Sequence, residues 1–90
     1  MDYVWDKRKA TANVSKHGVS FEEAVTVFDD PLYVDFYDPI HSESEHRYVI
    51  IGESRHGRLL FVSYMERLDV IRLISARTAT RPERKAYEKD

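Results

Sequence analysis

The sequence predicts an α+β domain with two N-terminal helices, an antiparallel β-meander of about three to four strands, and a C-terminal helix. Three observations predict it. Ser20 and Glu23 form a capping box ahead of a short apolar run that Asp29-Asp30-Pro31 stops. Residues 47–54, 59–66 and 70–77 are strand-like runs separated by short turn signals, the spacing of a meander. Thr80-Arg81-Pro82-Glu83 repeats the capping box, with Pro near a helix start.

Each element has a local cause. A short strand over residues 3–5 can precede the first helix. That helix takes Asp6 as N-cap and ends at Gly18, which suits the left-handed position after a helix. Ala10, Val14 and His17 are spaced to share one face. The second helix spans only about two turns, so packing of Phe21, Ala24, Val27 and Phe28 must hold it. Val19 and Ala24 can make its hydrophobic staple. Residues 32–37 read as an edge strand containing Asp35, and residues 38–45 as a polar loop. Arg55-His56-Gly57-Arg58 joins the first pair of meander strands, Arg67-Leu68-Asp69 the second, and the last helix runs through Tyr87.

Ninety residues make one domain, 1–90, with a modest core. Without cysteine there are no disulfides, thiolate metal sites or cysteine nucleophiles. No apolar run approaches the roughly 20 residues of a membrane span, and the N-terminus lacks the pattern of a signal peptide. A cytoplasmic protein is expected.

The net charge of −2 hides an uneven distribution. Between Gly18 and His46 there is no Lys or Arg, while Glu22, Glu23, Asp29, Asp30, Asp35, Asp38, Glu43 and Glu45 lie there. Cations cluster at Lys7, Arg8, Lys9 and Lys16, and again from Arg47 to Lys89. Such a globule can present an acidic and a basic face at once. Nine of the fourteen cations are Arg, whose forked donors suit phosphates.

Turn length sets the expected register. With His56-Gly57 as hairpin tip, Arg47 opposes Glu66 and Val49 opposes Tyr64. With Arg67-Leu68-Asp69 as a three-residue loop, Glu66 opposes Val70 and Tyr64 opposes Arg72. The period of two then gathers Arg47, Tyr64, Glu66 and Arg72 on one face. A carboxylate beside guanidinium groups is suited to RNA cleavage: a base takes the 2′-hydroxyl proton, cations stabilise the phosphorane-like charge, and an acid protonates the leaving oxygen. No metal or other cofactor is required. The alternative is a cross-strand salt bridge between Arg47 and Glu66 beside a packed Tyr64, with Glu66 also the partner of a buried Arg72. His17 is either a half-buried packing residue or an acid favoured by its helix C-terminus. His41 and His46 around Glu43 and Glu45 match no metal-site spacing and read as a solvated loop. Trp5 reads as core, and Tyr87 as packed on the sheet or stacked on a base.

Trp5-Asp6, Lys9, Asn13, Lys16-His17-Gly18-Val19-Ser20-Phe21-Glu22-Glu23-Ala24, Val27-Phe28 and Asp30-Pro31 resemble the N-terminal half of BrnT-type ribonuclease toxins. Arg47-Tyr48, Gly52-Glu53-Ser54, Gly57-Arg58, Glu66-Arg67, Ile71-Arg72-Leu73-Ile74-Ser75-Ala76-Arg77 and Arg81-Pro82-Glu83-Arg84 resemble the rest. Leu68 departs from the pattern, standing where that turn is expected to hold glycine. The resemblance implies a compact RelE-like fold and an endoribonuclease. It further implies neutralisation by a BrnA-like ribbon-helix-helix antitoxin, with operator DNA bound only through that complex. The expected catalytic set is His17, Glu66, Arg67, Arg72 and Arg77; the expected RNA contacts are Lys16, Arg47, Tyr64, Arg81, Arg84 and Tyr87. A non-catalytic module that pairs with a DNA-binding antitoxin is the rival reading, and a ribosome-dependent factor using the Arg-rich C-terminal helix is a third.

Overall fold

The computed structural model describes residues 1–42 and 45–88. Its elements run β1 (Asp2–Val4), α1 (Lys7–His17), α2 (Phe21–Val25) with a 3-10 turn (Thr26–Asp29), β2 (Val34–Tyr37), β3 (Arg47–Glu53), β4 (Leu59–Arg67), β5 (Val70–Thr78) and α3 (Arg81–Glu88). The sheet has five strands in the order β1-β5-β4-β3-β2, more than the expected three to four. The meander accounts for β2 to β5. β1 adds to the far edge of β5 and pairs with it in parallel, so the sheet is mixed.

The helix boundaries follow their caps. Asp6 Oδ1 accepts the Arg8 and Lys9 N–H groups (2.8 and 3.1 Å), and Gly18 at φ 70 donates its N–H to Val14 O at 2.8 Å. Ser20 Oγ accepts the Glu23 N–H at 3.0 Å. The Glu23 carboxylate turns away from the helix end instead of closing the box. The buried stripe of α1 is Ala10, Asn13 and His17, not Ala10, Val14 and His17; Val14 is exposed and Asn13 buried. Both triplets fit a helical period. Asn13 Nδ2 donates to Val19 O and Ala76 O (2.8 and 2.7 Å), and its Oδ1 accepts the Ala76 N–H at 3.1 Å. It thereby ties α1 to β5.

α1 and α2 cover one face of the sheet. Val19, Phe21, Ala24 and Val27 pack there on Ile50, Leu60, Val62, Tyr64, Ile71, Leu73 and Ala76. Gly52 admits the 3-10 turn to this face, since a Cβ there would stand 3.1 Å from Val27 O. α3 covers one end of the opposite face: its Tyr87, with Ala79 of the segment before it, packs over Val49, Ile51 and Leu59.

The register departs from expectation at both hairpins. In the β3–β4 pair Arg47 opposes Met65 and Tyr48 opposes Tyr64. In the β4–β5 pair Glu66 opposes Ile71 and Met65 opposes Arg72. The second connection is a two-residue turn, Leu68-Asp69, with φ of 51 and 65; both residues in the left-handed region is the signature of a tight hairpin turn that follows strand twist. A one-residue shift sends side chains to the opposite face. The Arg47, Tyr64, Glu66 and Arg72 floor therefore does not form. Arg47 and Arg72 lie on the α3 side, Tyr64 and Glu66 on the α1–α2 side. Arg72 is exposed and makes no pair with Glu66, so neither the cross-strand salt bridge nor the buried Arg72 is found.

Candidate functional site

On the α3 side of the sheet, one cross-strand row reads Arg47, Met65, Arg72 and Val4. With strands about 4.8 Å apart, the backbones of Arg47 and Arg72 stand roughly 10 Å from each other, on either side of Met65. Arg67 follows two residues beyond Met65 on the same side. The next row inward carries Phe36, Val49, Ser63 and Ser75. α3 covers the rows beyond, so this end of the face is open.

β5 contributes two arginines to this side through a bulge. Tyr64 pairs with Leu73 but Ser63 pairs with Ser75, leaving Ile74 as the extra residue. Leu73 and Ala76 consequently both face the core, and Arg72 and Arg77 both face away from it.

The arginines are not equivalent. Arg77 makes a two-pronged contact with Glu83, Nη1 to Oε1 at 2.8 Å and Nη2 to Oε2 at 2.9 Å, and its guanidinium lies 4.2 Å from the Phe61 ring centre. Glu83 is also the capping residue of α3, accepting the Thr80 N–H at 2.9 Å. The Arg77 contact holds the Glu83 carboxyl below its ordinary pKa, and Glu83 in turn raises that of Arg77. Arg77 thus fastens the start of α3 to the sheet. Tyr87 fastens its end, donating to Asp30 Oδ2 at 2.6 Å; that bond pushes the phenol up to about 12. Burial alone would raise the Asp30 carboxyl, but bonds from the Glu53 N–H, the Tyr87 hydroxyl and the Leu32 N–H together hold it low. Tyr87 is therefore packed on the sheet, the first of its two expected roles.

Arg67 and Arg72 are exposed and make no ion pair among the described residues. Arg47 touches Glu45 at 3.4 Å through Nη2, while its Nε is buried with no hydrogen-bond partner among the described residues. A buried donor left open is uncommon and costly. Arg81 and Arg84 are exposed on α3, on the same side of the sheet.

Tyr64 and Glu66 line a different place, a cleft of about 250 Å³ on the α1–α2 side with Met1, Tyr3, Tyr33 and Asp35. Its field is anionic. Burial first, then the Asp35 and Glu66 charges, push the Tyr64 phenol well up, and burial with Asp29 raises Tyr3. A phosphate is repelled there. Lys16 and His17 end α1, on this helical side and apart from the arginine row. His41 pairs with Asp38 at 2.8 Å and His46 lies 3.4 Å from the Tyr37 hydroxyl; Glu43 is outside the described residues. Among the described residues no group of three or more His, Asp or Glu side chains is arranged to hold a metal ion, and no helix is long and apolar enough to cross a membrane.

Sequence reasoning left one buried network unassigned. Glu23, 6% exposed, accepts the Ser54 hydroxyl at 2.7 Å and Arg58 Nε at 3.0 Å, and also pairs with Arg58 Nη2. Arg58 Nη2 donates to Gly18 O at 3.0 Å as well. The Arg58 contact, aided by Ser54, lowers the Glu23 carboxyl to about 2. This triad joins α2 to the β3–β4 hairpin. A signal for it existed in the segments Ser20–Glu23, Ser54 and Gly57-Arg58, which fall within the resemblance but carry no mutual spacing that announces contact.

The family model for "Ribonuclease toxin, BrnT, of type II toxin-antitoxin system" matches residues 5–83. Among solved structures, the Brucella abortus ribonuclease toxin BrnT matches with a TM-score of 0.65 at 23% identity, over 90% of this chain and 99% of that one. No functionally curated protein matches the sequence significantly.

Proposed function

We propose that this chain, which belongs to the BrnT family of ribonuclease toxins of type II toxin–antitoxin systems, cleaves RNA on the open half of its arginine face without a metal ion. The observation that carries this reading is the row of Arg47 and Arg72 around Met65, with Arg67 beyond it, on a sheet face that α3 leaves uncovered. Guanidinium groups remain charged at any working pH and hold phosphate oxygens two at a time. As the 2′-oxygen attacks the phosphorus its proton passes to water, the bond from phosphorus to the 5′-oxygen breaks, and that oxygen takes up a proton from water. The negative charge that builds meanwhile on the non-bridging oxygens meets cations already in place, which lowers the barrier.

In this reading Arg72 and Arg47 are the transition-state ligands, and Arg67, Arg81 and Arg84 extend the cationic field to neighbouring phosphates. Arg77 and Tyr87 position α3. Tyr64 and Glu66 in the anionic cleft, and Lys16 and His17 on the helical side, take no part in the chemistry. The partner is a BrnA-like ribbon-helix-helix antitoxin, and operator DNA is reached only through it.

Purified parent and Arg72→Ala chains, matched by circular dichroism, are incubated with single-stranded RNA with and without EDTA. Cleavage by the parent that EDTA leaves intact, and that Arg72→Ala loses by about 10²–10³-fold, supports the reading. A fold-competent parent that leaves RNA whole, alone and with translating ribosomes, sinks it and favours the pure binding module. Cleavage only with ribosomes keeps the enzyme and moves its substrate to translated messages.

A further inference from the structure

The outer edge of β2 is the surface left without a structural role. β2 ends the sheet, so among the described residues one side of its backbone has no strand neighbour. Asp38 donates its N–H to Arg47 O at 2.9 Å, which makes Asp38–Arg47 a hydrogen-bonded pair. In an antiparallel ladder such pairs alternate; Phe36 and Val34 therefore also bond inward to β3, and the N–H and C=O groups of Asp35 and Tyr37 point outward.

Large apolar side chains concentrate along this edge. Leu32 is 69% exposed and Ile40 80%, with Tyr33, Phe36 and Tyr37 each nearly half exposed between them. Isolated exposed apolar residues are ordinary, whereas several gathered on both faces of one edge strand and at its two ends mark an interaction surface. An unprotected, aromatic-rich edge strand invites another strand. Its charge selects the partner: Asp35 lies in the edge strand and Asp38 follows it, and no Lys or Arg occurs between Gly18 and His46.

We propose that this edge is where the antitoxin docks, through an extended segment of alternating basic and apolar residues that adds a sixth strand beside β2. The inference rests on the type II toxin reading and names the surface that reading leaves open. Main-chain bonds to Asp35 and Tyr37 supply affinity, and basic side chains facing the Asp35 and Asp38 carboxylates supply selectivity. Phe36 lies on the arginine side of the sheet, in the row next to Arg47. A segment seated here borders the proposed RNA site and obstructs it.

The test uses the full chain and, as probe, the BrnA-type antitoxin obtained by co-expression with it. Amide hydrogen exchange is followed residue by residue, free and bound. Exchange at Asp35 and Tyr37 should slow at least about tenfold in the complex, as new hydrogen bonds protect outward amides. Asp35→Asn/Asp38→Asn should weaken the complex by about tenfold, flatten its salt dependence and leave RNA cleavage by the free chain unchanged. A complex that forms while those two amides exchange as before overturns the docking site, whatever the variant does. If no complex forms with the parent, the antitoxin assignment falls and the docking proposal falls with it. RNA cleavage remains a separate readout, so loss of that activity would leave the docking result standing.

Discussion

Arg72 and Arg77 are five residues apart on one strand and nonetheless share a face of the sheet, because the bulge at Ile74 adds one residue between them. In a regular strand an odd separation places two side chains on opposite faces. The bulge lets Leu73 and Ala76 both enter the core while two arginines emerge together on the other side.

That shared face hides a division of labour which mutation should expose. Arg72→Ala should lower RNA cleavage about 10²–10³-fold and leave the unfolding free energy within about 0.5 kcal/mol, since the side chain is exposed. Activity assays beside urea melts check both halves. An equal loss of stability would make Arg72 a structural residue.

Arg77→Ala should behave in the opposite order. It removes two charge-assisted bonds to Glu83 and the contact with Phe61. Allowing for partial exposure, a loss of about 1–2 kcal/mol is expected, with α3 loosening first. Glu83→Gln should reproduce much of it, because the same carboxylate caps α3. Faster exchange of α3 amides in both variants, ahead of global unfolding, is the measurement.

Glu23 gives the molecule an acid-sensitive joint. Its carboxyl sits at about 2 when folded against an ordinary 4.5, held down by Arg58. The folded state therefore binds this proton more weakly than the unfolded chain does. The stabilisation is complete above about pH 5 and drains away as the pH falls from there towards 2. On the order of 3 kcal/mol depends on it. Melts of the parent and Glu23→Gln between pH 7 and pH 2.5 should converge at the acid end; parallel curves would rule the joint out.

The Leu68-Asp69 turn holds two non-glycine residues at positive φ, with Leu68 85% exposed. Each left-handed residue of this kind costs about 1 kcal/mol. Leu68→Asn/Asp69→Gly should stabilise the fold by about 1 kcal/mol without touching the arginine row. Its melting temperature compared with the parent decides the matter.

The helix ends were legible in the sequence because each depends on groups within about four residues. Asp6, Gly18, Ser20 and the Thr80–Glu83 pair act where their spacing says they should. The three long strands and the charge asymmetry were legible for the same reason. The order of the meander strands was legible too; what the sequence left open was their register and the parallel pairing of β1. A two-residue turn in place of a three-residue one moved Arg72 from Tyr64 to Met65, and the bulge at Ile74 restored Arg77 to its side. Register minimises the summed cost of burying Leu73, Ala76, Ile71 and Tyr64 against α1 and α2, and no single hairpin carries that sum. Local hydrogen bonding determined the elements; long-range packing alone decided which faces they share, and so separated Glu66 from the arginines and set Arg47 beside Arg72.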